Sequence, residues 1–200
     1  MKSEILSLFP TPIFKSQYFI NIDDITEYCL NTEYRGNDTN IQSSNTFVLN
    51  EPVFYKLRQF IENKLAEYIL KIHGSYQEID ITQSWLNKSG KNGSHRIHSH
   101  PNSFVSGVFY IQLDDDMPQL NFYRQIPPAF LLDSNIITDF TTDYFSLNAE
   151  KGTLVLFPSY LKHAVPENKS EKDRISLSFN TFPKGAFGNY DRLTYCDPNS

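Results

Sequence analysis

The stretch Arg174-Ile175-Ser176-Leu177-Ser178-Phe179-Asn180 alternates strictly between polar and apolar residues. Side chains two positions apart on a β-strand share a face, so the pattern predicts a strand with one apolar and one polar face. The apolar face is expected to pack in the core. The polar face either meets water or lines a pocket.

Other short strands are predicted around this one, from residue 79 onward. They are separated by turn-forming stretches such as Gly90-Lys91-Asn92-Gly93 and Glu150-Lys151-Gly152. Many short strands with distant partners favour a β-sandwich or jelly roll. The predicted strands are 79–86, 94–98, 105–113, 120–123, 144–147, 153–157, 163–165 and 174–182.

A long helix is predicted before the strands, over residues 52–72. Apolar side chains recur there at helical spacing, Pro52 suits a first helical turn, and Gly74 suits the residue after the last turn. We expect this helix to pack on the outside of one sheet. The side chains of the packing face are Phe54, Phe60, Ile61 and Leu65.

The rest of the N-terminal region carries weaker patterns. Acidic residues at its start predict a short helix over 23–30, and two prolines predict a bent edge strand over 5–19. Polar composition predicts a loop over 33–45. We expect one domain over 1–200, with an N-terminal helical flank and edge strand at 1–75, a β core at 76–183 and a tail at 184–200.

Composition and charge restrict the function classes. The chain has 200 residues, 40% of them hydrophobic and 14% aromatic, which predicts a folded domain rather than a disordered one. Its net charge of -5 gives no long-range attraction to nucleic acid. No apolar run approaches the roughly 20 residues of a membrane span, and no secretory leader is visible. Two distant cysteines favour a reducing cytoplasm.

Three histidines carry the clearest chemical signal. His98 and His100 are two apart and would share a strand face, and His163 comes from a distant predicted strand. Neutral imidazole is a good ligand for iron, zinc or copper. The alternative is a polar surface strand that happens to contain histidines, but the combination favours a metal site.

Arg174 and Ser176 lie on the polar face of the alternating strand. A guanidinium can bind a carboxylate through two hydrogen bonds, and a nearby hydroxyl can add one more. Taken alone, this pair also fits an exposed sheet face. His163, eleven residues before Arg174, favours instead a metal and a carboxylate anchor that hold one cosubstrate.

Several short motifs match the pattern of one enzyme family. They are Phe9-Pro10-Thr11-Pro12, Trp85-Leu86-Asn87, His98-Ser99-His100-Pro101-Asn102-Ser103, Ser106-Gly107-Val108-Phe109-Tyr110 and Gly152-Thr153-Leu154-Val155-Leu156-Phe157-Pro158-Ser159. Together they resemble the Fe(II)/2-oxoglutarate-dependent oxygenases found in bacteria and phages. The resemblance extends over about residues 8–182.

This resemblance implies a fold, two cofactors and a reaction. The fold is an antiparallel double-stranded β-helix, a jelly roll, and the cofactors are Fe(II) and 2-oxoglutarate. The reaction is oxidation, as a rule hydroxylation, of a small-molecule or peptide substrate with release of succinate and CO2. By position, the implied metal ligands are His98 and His163, the implied anchor for the far carboxylate of 2-oxoglutarate is Arg174 with Ser176, and further candidates to bind it are Asn87 and Tyr110.

His100 departs from the family pattern, which usually has Asp or Glu at that position. Three interpretations stay open: a face of three histidines, two histidines with water, or an acid from elsewhere such as the run 114–116. We prefer the first. His95 has the opposite strand parity to His98 and is left out of the ligand set. His73 ends the long helix and is interpreted as structural.

Two other function classes stay open at this point. A cupin-like metal-dependent dioxygenase or isomerase would use the histidines without 2-oxoglutarate. A non-catalytic jelly-roll binding module would use neither. The pairing of Arg174 with His163 favours the oxygenase over both. The primary substrate and the oligomeric state do not follow from the sequence.

Overall fold

The computed structural model describes residues 3–37, 39–126, 132 and 135–198. Within them the strands form one larger and one smaller sheet. The elements are β1 (Phe14–Gln17), α1 (Asp23–Asn31), β2 (Tyr34–Asn37), β3 (Asn40–Ser43), two 3₁₀ turns (Val48–Asn50 and Pro52–Phe54), α2 (Tyr55–His73), β4 (Ile79–Ser89), β5 (His95–His98), β6 (Val105–Gln112), β7 (Asn121–Tyr123), β8 (Tyr144–Ser146), β9 (Thr153–Pro158), β10 (His163–Val165) and β11 (Arg174–Pro183).

The larger sheet has the strand order β1-β9-β6-β11-β4-β3-β2, and the smaller sheet has the order β5-β10-β7-β8. Every pairing between these strands is antiparallel. The predicted fold, a mostly β antiparallel jelly roll with N-terminal helices beside it, is confirmed. The division into one domain with a tail stays a prediction. None of the described helices is both long and apolar enough to cross a membrane.

The apolar face of β11 packs under α2, as predicted. Ile175, Leu177 and Phe179 are fully buried and belong to the same core cluster as Ile61 and Leu65 of the helix. The predicted helix begins with the 3₁₀ turn at Pro52 and ends at Gly74, whose φ of 61° is in the left-handed region that glycine adopts freely. The larger sheet therefore buries one face completely.

A close contact between β6 and β11 fixes their packing. The ring of Phe179 lies over Gly107, so that a Cβ at position 107 would be 2.0 Å from the ring carbon Cζ. Glycine is therefore the residue that fits there. The two residues are also direct partners in the strand register.

The polar face of β11 lines the interior between the sheets rather than the surface. Ser176 pairs with Asn87 of β4 and Tyr110 of β6, and Ser178 pairs with Trp85. Both serines are buried. The predicted alternation of the two faces of β11 is therefore confirmed. Its polar face lines a pocket and is not exposed to water.

Two local predictions were wrong. The predicted loop over 33–45 contains the hairpin of β2 and β3, because β3 pairs with β4 through Ile41 and Gln42, a long-range partner that composition does not reveal. The predicted edge strand over 5–19 is a strand only from Phe14 to Gln17, where it pairs with β9. Proline lacks the amide hydrogen that a paired strand donates, which keeps Pro10 and Pro12 out of it.

Candidate metal and cosubstrate site

Three histidines converge between the sheets. His98 ends β5 and is the direct register partner of His163 on β10. His100 lies two residues beyond, where its backbone N–H donates to the carbonyl oxygen of Ser159 at 2.9 Å. The ring centroids of His98 and His163 are 4.3 Å apart, and that of His100 is 5.1 Å from the first and 5.0 Å from the second. One ring nitrogen of each lies within 4.8 Å of the other two.

Hydrogen bonds determine which ring nitrogen is available to a metal. Nδ1 of His98 lies 2.7 Å from the carbonyl oxygen of Arg96, and Nδ1 of His163 lies 2.8 Å from that of Leu161. Nδ1 of His100 lies 2.5 Å from Oδ1 of Asn180. Because each partner accepts, each Nδ1 carries the proton and each Nε2 keeps its lone pair. All three rings are thus held in the tautomer that ligates through Nε2.

The environment also keeps the rings of His100 and His163 neutral. Burial, with a smaller contribution from the neighbouring His98, lowers the pKa of His163 to about 3. Burial lowers the pKa of His100 as well, although its hydrogen bond to Asn180 opposes the shift. A neutral imidazole is the form that binds a metal. His100 and His163 are therefore in the ligating state at neutral pH before any metal arrives.

The acidic run at 114–116 is not part of this cluster. Its first carboxylate, that of Asp114, forms a surface ion pair with Nζ of Lys172 at 2.7 Å. No Asp or Glu of the described residues joins the histidine group. An acid from this turn is therefore not the third ligand.

His95 lies in the same cavity, so the parity argument that placed it on the opposite face was wrong. The register between β5 and β10 shifts, with His98 opposite His163 but His95 opposite Val165. Three steps on β5 match two on β10, which is a β-bulge, and a bulge interrupts the alternation of faces. The ring of His95 stacks on that of His98 with centroids 4.2 Å apart and an interplanar angle of 24°. It does not belong to the group of converging ligand atoms.

Arg174 reaches the cavity from the opposite sheet. It is 2% exposed, and its Nε donates to the carbonyl oxygen of Pro118 at 3.1 Å while Nη1 donates to Oγ of Ser176 at 3.4 Å. The guanidinium carbon lies 5.1 Å from the centre of the Tyr110 ring. Burial lowers the pKa of Arg174, yet no carboxylate of the described residues lies within 4.0 Å of it. A buried cation without a counter-charge is an anion receptor.

The residues present fit the two groups that the resemblance implies. Three imidazole nitrogens on one side suit Fe(II), and a buried guanidinium without a counter-charge on the other suits the far carboxylate of a dicarboxylate. Both lie on the wall of one cavity between the sheets.

The family comparison agrees with this chemistry. The family model described as "Putative 2OG-Fe(II) oxygenase" matches residues 83–180, the segment that contains the three histidines and Arg174. Residues 83–180 therefore belong to the 2OG-Fe(II) oxygenase family. The chain is accordingly an oxygenase whose cofactors are Fe(II) and 2-oxoglutarate. The cupin-like and non-catalytic alternatives are set aside.

Solved structures of 2OG-Fe(II) oxygenases share the fold. HygX from Streptomyces hygroscopicus, solved with nickel, 2-oxoglutarate and hygromycin B, has a TM-score of 0.63 at 12% identity, covering 87% of this chain and 84% of that one. A prolyl-4-hydroxylase from Pseudomonas putida has a TM-score of 0.61 at 14% identity, with coverages of 88% and 94%. At these identities the likeness shows the fold alone. A search of curated protein sequences found no match.

Tyr110 and Asn87, the two other candidates to bind 2-oxoglutarate, differ in whether their polar groups are free to bind a ligand. The hydroxyl of Tyr110 is buried without a hydrogen-bond partner among the described residues. Burial raises its pKa, although the nearby Arg174 cation opposes the shift, so the hydroxyl keeps its proton. Asn87 already donates to Ser178 Oγ at 2.9 Å and accepts from Asn40 at 3.4 Å. Tyr110 therefore has a hydrogen bond to give to a ligand, whereas the amide of Asn87 is occupied.

Sequence reasoning missed several residues of the cavity wall. Trp85 stacks on His100 with ring centroids 5.9 Å apart, and its indole nitrogen is buried without a partner among the described residues. The alternating parity of β4 with β11 could have found Trp85, since it lies two residues before Asn87. Asn40 could not be found, because it belongs to the hairpin that composition hides. The other missed wall residues are Ser89, Val108, Leu120, Val165 and Ser178.

Proposed function

We propose that this oxygenase hydroxylates a small-molecule or peptide substrate, with Fe(II) held by His98, His100 and His163. The three-histidine face is the arrangement that the preformed tautomers support. When bound, the metal and 2-oxoglutarate together supply the oxidising chemistry, using O2 and releasing succinate and CO2. The protein supplies binding, orientation and exclusion of water.

One observation carries the proposal, the buried and uncompensated Arg174. Burying an unpaired ion usually costs on the order of several kcal/mol. A fold that keeps such a group beside a metal site gains from it only when an anion binds there. We therefore assign to Arg174 and Ser176 the binding of the far carboxylate of 2-oxoglutarate, and to the Tyr110 hydroxyl a hydrogen bond to the same ligand.

The walls around the histidines define how the cosubstrate is oriented. Arg174 is the register partner of Ser89, Ser176 is that of Asn87, and Ser178 is that of Trp85. The anchor therefore occupies one end of the polar face and Trp85 the other, close to His100. The cosubstrate lies on the Arg174 side, which leaves the Trp85 side for the primary substrate.

The proposed substrate class is motivated by solved structures of the same fold. HygX is solved with hygromycin B, a small molecule, and the Pseudomonas putida protein is a prolyl-4-hydroxylase. These facts describe those proteins and motivate a screen of both classes. For this chain we propose a cytoplasmic location, supported by the free thiols of Cys29 and Cys196.

The test is a pair of anaerobic titrations, metal first and 2-oxoglutarate second. Wild type should bind one Fe(II) and then 2-oxoglutarate, and His163→Ala should lose the metal. Arg174→Lys should keep the metal but bind 2-oxoglutarate weakly, because an ammonium cannot form the bidentate pair. Arg58→Lys, which alters a helix-surface arginine paired with Glu62, is the matched control.

Turnover completes the test. Aerobic wild type with Fe(II) should release succinate from 2-oxoglutarate slowly alone and faster with a true substrate, so succinate release screens both substrate classes. If wild type bound the metal but had no affinity for 2-oxoglutarate, the proposed function would be contradicted. The result would favour instead a cupin-like metal-dependent enzyme that does not use 2-oxoglutarate.

A further inference from the structure

His95 has no part in the function described so far, yet it lines the cavity between the histidine cluster and Arg174. The β-bulge in β5 turns its side chain inward, and its ring lies flat against that of His98. Structural histidines inside proteins normally bind a neighbour through at least one ring nitrogen. Among the described residues, neither ring nitrogen of His95 makes a hydrogen bond.

The strand register locates His95 at the Arg174 end of the cavity. Its partner on β10 is Val165. The residue before Val165, Ala164, pairs on the other side of β10 with Asn121 of β7. The chain just before Asn121 contains Pro118, whose carbonyl oxygen accepts the hydrogen bond from Arg174 Nε. His100 and Trp85 stack together at the other end. His95 therefore faces the space that a molecule reaching from the metal to Arg174 must occupy.

The chemistry of an imidazole matches that of the ligand expected there. In every protonation state the ring carries at least one N–H donor. 2-Oxoglutarate has two carboxylates, each with about four acceptor positions. Arg174, Ser176 and Tyr110 together donate at most to those of one carboxylate, which leaves acceptors on the other. An N–H beside this path has no protein acceptor in the described part of the chain but would have one in a bound dicarboxylate.

We propose that His95 is a further cosubstrate-binding residue, whose ring N–H donates a hydrogen bond to a carboxylate oxygen of 2-oxoglutarate. This inference rests on the proposed function of the site. It gives His95 a role in binding the organic cosubstrate and none in holding the metal.

The experiment compares three variants by calorimetric titration of the Ni(II)-loaded protein with 2-oxoglutarate. His95→Phe keeps a flat ring against His98 but removes both nitrogens, and His95→Gln keeps an N–H donor without the ring. His73→Phe alters a histidine whose ring lies against Phe104 and that is not in the group of converging ligand atoms, and it is the matched control. Ni(II) affinity and thermal unfolding of each variant are measured beside the cosubstrate affinity.

We expect His95→Phe to weaken 2-oxoglutarate binding by about 10-fold or more, the size expected for one hydrogen bond to a charged group. His95→Gln should recover part of this loss, and Ni(II) affinity should change by less than about twofold in both. Repeating the titration with 2-oxobutyrate, which lacks the far carboxylate, identifies the carboxylate that His95 contacts.

Three outcomes would overturn the inference. His95→Phe could bind 2-oxoglutarate like wild type, or lose Ni(II) along with it, which would make His95 part of the metal site. If His95→Phe does not fold, His95→Gln is compared with His95→Ala instead. Wild-type Ni(II) affinity with tighter 2-oxoglutarate binding in His95→Gln than in His95→Ala supports the inference, and equal 2-oxoglutarate binding in the two variants rejects it. A wild type without any 2-oxoglutarate affinity is a different result, since it rejects the proposed function itself.

Discussion

Replacing Arg174 with methionine should abolish cosubstrate binding without destabilising the metal-free protein. The side chain is 2% exposed and has no counter-charge within 4.0 Å among the described residues. Its partial compensation is the hydrogen bond to the Pro118 carbonyl and the contact with the Tyr110 ring. These contribute about 1–3 kcal/mol and 0.5–2 kcal/mol respectively.

Desolvation of the unpaired guanidinium costs on the order of several kcal/mol, which opposes the stabilisation from these two contacts. Methionine fills a similar aliphatic volume and carries no charge, and apolar replacements of buried charges are typically neutral or stabilising by about 1–4 kcal/mol. We therefore expect the free energy of unfolding of metal-free Arg174→Met to change by between about 0 and +3 kcal/mol.

The assay is urea unfolding of Ni(II)-loaded protein with and without 2-oxoglutarate, together with unfolding of the metal-free forms. At roughly 100 times its dissociation constant the cosubstrate should add about 2.7 kcal/mol to wild type and nothing to Arg174→Met. Arg58→Met should keep the full increment. A loss of more than about 3 kcal/mol in metal-free Arg174→Met would show that the charge is already compensated, and would refute the reasoning.

Other predictions concern the supports of the site. Gly107→Ala should destabilise the protein by about 1–3 kcal/mol, measured by urea unfolding, because the new Cβ would overlap the ring above it. Asn180→Ala should weaken Ni(II) binding by about 10–100-fold in a chelator competition, since it removes the acceptor that orients His100. Because the pKa of His163 is about 3 when folded and near 6.5 when unfolded, the unfolded chain binds more protons between those values. Stability of the metal-free protein should be complete above pH 6.5 and decrease as the pH falls toward 3; a flat profile of urea midpoints would contradict this.

The sequence predicted those parts of the site that depend on local alternation. Arg174, Ser176 and the apolar side chains between them obey strand parity, so both faces of β11 were predicted correctly. His95 was not, because a bulge depends on the pairing of two backbones rather than on the residues of one. Asn40 was hidden for a related reason, since the hairpin that carries it becomes a strand only by pairing with β4.

The contact between Gly107 and Phe179 has a consequence on the opposite side of the sheet. A slip of β11 by one residue along its neighbours would turn Arg174 and Ser176 into the hydrocarbon core. The ring of Phe179 fits over Gly107, which has no side chain, whereas the next residue in either direction along β6, Ser106 or Val108, carries one. This contact therefore fixes the register of β11 on β6. The packing of the apolar core thereby determines which side chains of β11 face the metal site.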